Sequence, residues 1–261
     1  MASPRHDPIV EFAGSGDDQV YGLDNDDRLH GENGRDQLWG RQGDDRLFGG
    51  NGKDALYGGD DDDLLRGENG KDLLVGGDGA DKLTGDNGKD ELHGGWGGDL
   101  VYGGNGADLL DGGKGSDVMF GGSGGDVLRG GGFGDELYGN DGGDLLIGGG
   151  GDDFLFGGKG GDVLRGGDGD DVLDGGWGKD RLIGGAGEDT FVVDHGSKTK
   201  VVDFEQDADL FLIETGASGF AELELHEKRN GDLVVKYEGD QVVRIKDAEA
   251  GDFDQHDFMF G

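Results

Sequence analysis

From Ala13 to Val192 the chain repeats every nine residues, twenty times over, with no insertion or deletion. A period of this kind means one small unit stacked on its own copies, so the fold must be a solenoid in which each repeat leans on its neighbours. Every sixth position is aspartate: Asp18, Asp27, Asp36, Asp45, Asp54, Asp63, Asp72, Asp81, Asp90, Asp99, Asp108, Asp117, Asp126, Asp135, Asp144, Asp153, Asp162, Asp171, Asp180 and Asp189. Every eighth position is apolar, usually leucine, as at Leu29, Leu56, Leu92, Leu146 and Leu173.

Glycine at positions 2 and 4 permits positive φ and close backbone approach, so six residues can turn sharply and three remain for a short strand. In that strand the eighth side chain points opposite to the seventh and ninth, which sends the leucine inward and its neighbours outward. With one turn and one strand per repeat, successive strands fall in opposite sheets and true neighbours lie 18 residues apart. The outward positions obey this longer period. Position 3 reads Asn33, Asn51, Asn69, Asn87 and Asn105 in alternate repeats, whose position 5 reads Arg35, Lys53, Lys71 and Lys89, whereas intervening repeats place Asp26, Asp44 and Asp62 at position 5. One edge is flecked with base and the other is doubly acidic.

Composition narrows the chemistry. With 64 glycines and 32% hydrophobic residues the chain would read as disordered were it not periodic. A formal charge of -36 repels nucleic acid and anionic membranes and attracts cations. There is no cysteine, so neither disulfides nor thiolate metal sites are available, and the cation must be a hard one taken by oxygen. Stacked rows of unneutralised aspartate repel one another, which makes metal binding part of folding. No run is apolar and long enough for a membrane span, and the N-terminus has no signal-peptide stretch.

Repeats such as GGNGKDALY (residues 49–57), GGNGADLLD (103–111), GGKGGDVLR (157–165) and GGDGDDVLD (166–174) resemble the glycine-rich nonapeptides of RTX proteins. The resemblance implies an all-β fold, a parallel β-roll that is a calcium-stabilised right-handed solenoid. Each calcium then sits between turns stacked on one edge. Its ligands are the position-6 carboxylates named above and main-chain carbonyls of the glycine turns, at Gly34, Gly43, Gly52, Gly70, Gly79, Gly88, Gly97, Gly106, Gly115, Gly124, Gly142, Gly151, Gly160, Gly169, Gly178 and Gly187. Two rows of ten aspartates allow up to about 18 calcium ions. Position 4 departs from glycine at Asn25, Asp61 and Phe133, and phenylalanine does not enter the left-handed region readily, so sites near Phe133 and in the imperfect first two repeats are the weakest.

The chain divides into a lead-in (residues 1–12), the repeat β-roll (13–192) and a C-terminal β cap (193–261), where VVDF, DLFLIE and DLVVKYEGDQVVRIK alternate as strands. The last segment resembles the C-terminal part of RTX proteins, which implies an uncleaved export signal, a partner in the type I secretion machinery and a secreted, extracellular protein. No HExxH or GxSxG pattern occurs, and with only twelve residues ahead of the repeats the chain reads as a non-enzymatic matrix, adhesion or polysaccharide-binding module. The alternatives are an enzyme with a site in the cap, using Asp203, Asp207, Asp209 or His195, or a fragment of a larger RTX toxin or enzyme. Outward rows of Tyr102, Phe120, Tyr138 and Phe156, of Tyr21, Trp39 and Tyr57, and of Leu109, Val127, Leu145 and Val163 either pack within each sheet or contact a glycan or cell surface.

Overall fold

The computed structural model describes residues 8–194, 198–205, 208–214, 223–227, 233–237, 240–246, 248, 250 and 253–260. They form two compact units, Met1–Gly131 and Gly132–Gly261. All regular structure among the described residues is β, and no helix is long and apolar enough to cross a membrane.

In the first unit, strands alternate between two parallel sheets. One sheet runs from Val10–Ser15 through Arg28–Gly34, Arg46–Gly52, Leu64–Gly70, Lys82–Gly88 and Leu100–Asn105 to Val118–Gly124, each strand paired with the one 18 residues on. The other takes the intervening strands, from Gln19–Tyr21 to Leu109–Lys114, in the same register. The strands are longer than the three residues expected. Most run six or seven residues, through positions 7 to 9 and on into the glycines of the next repeat, because those glycines also pair with their equivalents one coil away.

The core is one side chain per repeat. Leu29, Leu47, Leu65, Leu83, Val101 and Met119 stack from one sheet, and Leu38, Leu56, Leu74, Leu92 and Leu110 from the other, all fully buried. Each such burial is worth about 1.5 to 3 kcal/mol. Positions 7 and 9 face outward on either side, as the alternation requires.

The second unit begins the same way. Leu137, Leu155, Leu173, Phe191, Phe211 and Phe258 form one inward column, and Leu146, Leu164, Leu182, Val201 and Ile245 the other. Thus the parallel stack continues past the last nonapeptide, but with the register stretched: Arg181 pairs with Lys200 and Thr190 with Leu210, offsets of 19 and 20 in place of 18. The wider coils hold larger side chains, and Phe191, Phe204, Phe211, Phe253 and Phe258 pack together. An antiparallel pair, Leu223–Glu227 and Leu233–Tyr237, then closes one sheet against Asp240–Ile245. The segment DLVVKYEGDQVVRIK is thus two antiparallel strands, Leu233–Tyr237 and Asp240–Ile245, and Glu238 and Gly239 between them lie outside the described residues.

Candidate metal centre

The position-6 aspartates are buried, from Asp27 to Asp189, at 1 to 3% exposure. Each carboxylate is divided in its duties. One oxygen closes a rung between coils: the backbone N–H of Asp36 donates to Asp54 Oδ1 at 2.9 Å, that of Asp54 to Asp72 Oδ1 at 2.9 Å, and that of Asp45 to Asp63 Oδ1 at 2.8 Å. The same rungs recur in the second unit, as from Asp144 to Asp162 and Asp153 to Asp171. The aspartate main-chain carbonyls are also engaged, each accepting from position 7 of the next coil, as Asp54 does from Leu73 at 2.9 Å.

The other oxygen has no such partner. Oδ2 of every position-6 aspartate from Asp36 to Asp180 is buried without a hydrogen bond. One unsatisfied buried carboxylate oxygen would be costly, and a whole row of them points to a partner that is not protein.

The position-1 glycines show where that partner fits. A Cβ placed on Gly85 would stand 2.7 Å from Asp90 Oδ2 and 2.6 Å from the carbonyl oxygen of Gly103. On Gly157 it would stand 2.7 Å from Asp162 Oδ2 and 2.7 Å from the Gly175 carbonyl, and Gly31 and Gly49 each face the equivalent pair of oxygens in their own coils. None of these glycines needs positive φ, so they are glycine because a carboxylate oxygen and a main-chain carbonyl converge where a side chain would begin.

Among the described residues no three His, Cys, Asp or Glu side chains converge on one point. A metal here would have one or two carboxylates together with main-chain carbonyls to bind, a set of hard oxygens that suits calcium and not the nitrogen- and sulfur-seeking transition metals. The position-4 glycines, expected as carbonyl donors, occupy the same turns. Their carbonyls point up the stack: a Cβ on Gly52, Gly70 or Gly106 would collide with the oxygen of Gly34, Gly52 or Gly88. Some already accept a long hydrogen bond, as Gly34 does from Lys53 and Gly160 from Lys179, at 3.3 Å. The position-1 carbonyls, not singled out from sequence, are the ones that meet the unpartnered Oδ2.

The ends of the rows differ from expectation. Asp18 is only half-buried, and its repeat has Ala13 at position 1, whose methyl would fill the space that glycine leaves. Asp27 is buried, but its Oδ2 accepts from Leu23 N–H at 2.5 Å, so a backbone donor takes the metal's place. Asp209 mirrors it in the stretched coil after the repeats: Oδ1 accepts from Asp189 N–H at 3.1 Å and Oδ2 from Glu205 N–H at 2.7 Å. The ladder thus extends one aspartate beyond the nonapeptides and finishes on a backbone plug. Phe133 does enter the left-handed region, at φ 78°, with the residue 67% exposed, and its coil keeps the buried Asp135.

Burial governs the charge of these groups. It pushes Asp63 up to about 8, Asp45, Asp72, Asp99 and Asp171 to about 7, and Asp54, Asp81, Asp90 and Asp153 to about 6, with neighbouring carboxylates adding to the rise. Without a cation these carboxylates hold their protons to a higher pH than an ordinary aspartate does.

The other predicted features resolve toward packing. Tyr21, Trp39 and Tyr57 stack face to face at 4.5 and 5.7 Å, as do Tyr102 with Phe120 and Tyr138 with Phe156, so these rings spend their faces on one another. A further stack, Phe12, His30 and Phe48, lies on the opposite sheet from Tyr21. Leu109, Val127, Leu145 and Val163 are half-buried. Asp203 and Asp209 are tied to backbone N–H groups of Gly184 and of Asp189 and Glu205, while His195 and Asp207 lie outside the described residues.

Comparison with known proteins agrees with this geometry. The model of the RTX calcium-binding nonapeptide repeat (4 copies) matches in overlapping and adjoining copies at residues 12–38, 30–65, 39–74, 66–101, 93–128, 129–164 and 156–191. No individual curated protein sequence matches. Among solved structures, the extracellular lipase LipA from Serratia marcescens is similar at 19% identity, with a TM-score of 0.33 over 83% of this chain; the chain spans 40% of the length of that structure. With its repeats, its β-roll and its rows of half-satisfied aspartates, the chain belongs to the RTX family of calcium-binding nonapeptide repeat proteins.

Proposed function

We propose that this is a secreted protein, exported by type I machinery, that folds on meeting extracellular calcium and then serves as a non-enzymatic matrix, adhesion or polysaccharide-binding module. The observation that carries the calcium-dependent part is the set of buried Oδ2 atoms in each unit, beside glycines whose Cβ position is taken by oxygens. Position-6 aspartates from Asp36 to Asp180 would hold the ions with position-1 and position-4 carbonyls, and the bound calcium supplies the positive charge that lets buried carboxylates ionise. The protein's own part is to stack the turns, fix each carboxylate by its Oδ1 rung and exclude water from the row. The cap carboxylates Asp203 and Asp209 are committed to backbone hydrogen bonds, which favours a structural role for them over a catalytic one.

Circular dichroism during calcium titration is the test. A disordered spectrum in chelator should turn into a β spectrum with half-saturation of about 0.1 to 1 mM, the range of extracellular modules. Magnesium, with its strict octahedral demand, should substitute poorly. A full β spectrum without any divalent ion would refute metal-dependent folding, and a screen of loaded protein against polysaccharide substrates that showed cleavage would refute the non-enzymatic reading.

A further inference from the structure

In a chain of formal charge -36, four cations stand in a line. Arg35, Lys53, Lys71 and Lys89 occupy position 5 of successive coils on one edge of the first unit, all exposed, and none makes an ion pair among the described residues. Beside them Asn33, Asn51, Asn69, Asn87 and Asn105 form a ladder, each amide donating to the preceding one at 2.9 to 3.1 Å. A primary amide has two donors and two acceptor positions, so every rung leaves one of each facing water. A groove of about 560 Å³ lies along this edge, lined by Arg35, Lys53 and Lys71 and by the position-6 carboxylates Asp36, Asp54 and Asp72.

The sign of this strip depends on metal. In the turn segments 31–36, 49–54, 67–72 and 85–90 the four position-6 carboxylates balance the four cations, and Glu32, Glu68 and Asp86 leave a net charge of about minus three. At one calcium per position-6 carboxylate the same segments reach about plus five. The matching segments of the opposite edge, 40–45, 58–63, 76–81 and 94–99, start near minus eight and only reach about zero, because Asp44, Asp60, Asp61, Asp62 and Asp78 replace the bases. Calcium loading therefore makes one edge strongly cationic and leaves the other neutral.

We propose that the Arg35–Lys89 strip of the calcium-loaded protein binds a linear acidic polysaccharide. This deepens the binding-module reading above and rests on it. The cations recur once per coil, about every 4.8 Å. An extended acidic peptide presents same-face side chains about 6.6 Å apart and falls out of step. Single-stranded nucleic acid would want aromatic faces for its bases, and the strip has none. A hydroxyl-bearing polymer with one anionic group per sugar ring satisfies both the cation row and the amide comb.

The test is binding of the full chain, in saturating calcium, to polygalacturonate oligomers, with dextran, polyglutamate and single-stranded DNA as competitors. The wild type should bind polygalacturonate with an affinity that falls as salt rises. The K53Q/K71Q/K89Q triple variant, shown by circular dichroism to fold in the same saturating calcium, should bind at least tenfold more weakly, and K53R/K71R/K89R should restore binding. Equal binding by the glutamine variant would overturn the strip as the site while leaving polysaccharide binding intact. Preference for DNA or polyglutamate would overturn the assigned polymer class. No acidic-polymer binding at all would overturn the proposal, and a neutral-glycan array on the same sample would then show separately whether the wider binding-module reading stands.

Discussion

Replacing Gly157 by alanine isolates the cradle from every other property of the turn. The residue has no positive φ, so a methyl there brings no backbone strain, and in open space the change would stabilise the fold by about 0.4 to 1 kcal/mol through the unfolded chain. Here the methyl would stand 2.7 Å from both Asp162 Oδ2 and the Gly175 carbonyl, the two oxygens we assign to an ion. Losing one site at a calcium concentration a hundredfold above its Kd removes about 2.7 kcal/mol. Overpacking against two fixed oxygens adds about 1 to 3 kcal/mol. Set against the unfolded-chain gain, the expected loss is about 3 to 5 kcal/mol, accompanied by the loss of one bound calcium. Gly150→Ala is the internal control, since nothing lies within 4 Å of its Cβ position and it too lacks positive φ. Calorimetric calcium counts and denaturant melts of the two variants decide the matter. If Gly157→Ala binds the wild-type number of ions and melts with Gly150→Ala, calcium does not sit in the cradle.

Asp108→Ala should lose calcium and also strand the N–H of Asp90, at about 1 to 3 kcal/mol, whereas Asp111→Ala on the outer face should change little; equal calcium counts in both would sink the ligand assignment. In the metal-free protein, burial raises the position-6 aspartates above their unfolded value of 3.8, so the fold binds more protons than the unfolded chain. That contribution favours folding fully below about pH 4 and is lost as pH climbs through about 6 to 8; circular dichroism of metal-free protein should gain β signal on acidification, and pH-independent spectra would contradict it. Deleting residues 193–261 should expose Phe191 and the end of both columns and raise the calcium midpoint markedly, while deleting residues 1–30 should leave it nearly unchanged, as paired titrations would show.

Much of this was legible because the register is strict. A period of 18, two sheets and a column of position-8 leucines follow from spacing alone, and Leu29 through Leu182 lie where alternation puts them. The role of position 1 was not read, although it is glycine in every repeat but the first, a stronger regularity than position 4. Spacing cannot distinguish a glycine required by φ from one required by space, and only the stacked geometry separates Gly52 from Gly49. The plugs at Asp27 and Asp209 were hidden for another reason. Whether a carboxylate meets a cation or a backbone N–H depends on the loop four residues earlier, at Leu23 and Glu205, where the repeat pattern has lapsed. Asp209 did carry a signal, since Asp209 and Phe211 keep the spacing of positions 6 and 8 after a two-residue insertion.

The rungs also have a direction. Each aspartate lends its Oδ1 to the coil before it, as Asp108 does to Asp90 and Asp126 to Asp108. A coil therefore inherits the defects of its successor and is indifferent, in this respect, to those of its predecessor. Errors in such a chain should travel one way: a lesion at Asp108 is registered first at residue 90, eighteen positions upstream, and amide exchange mapped along the sequence would show each mutation's shadow falling toward the N-terminus.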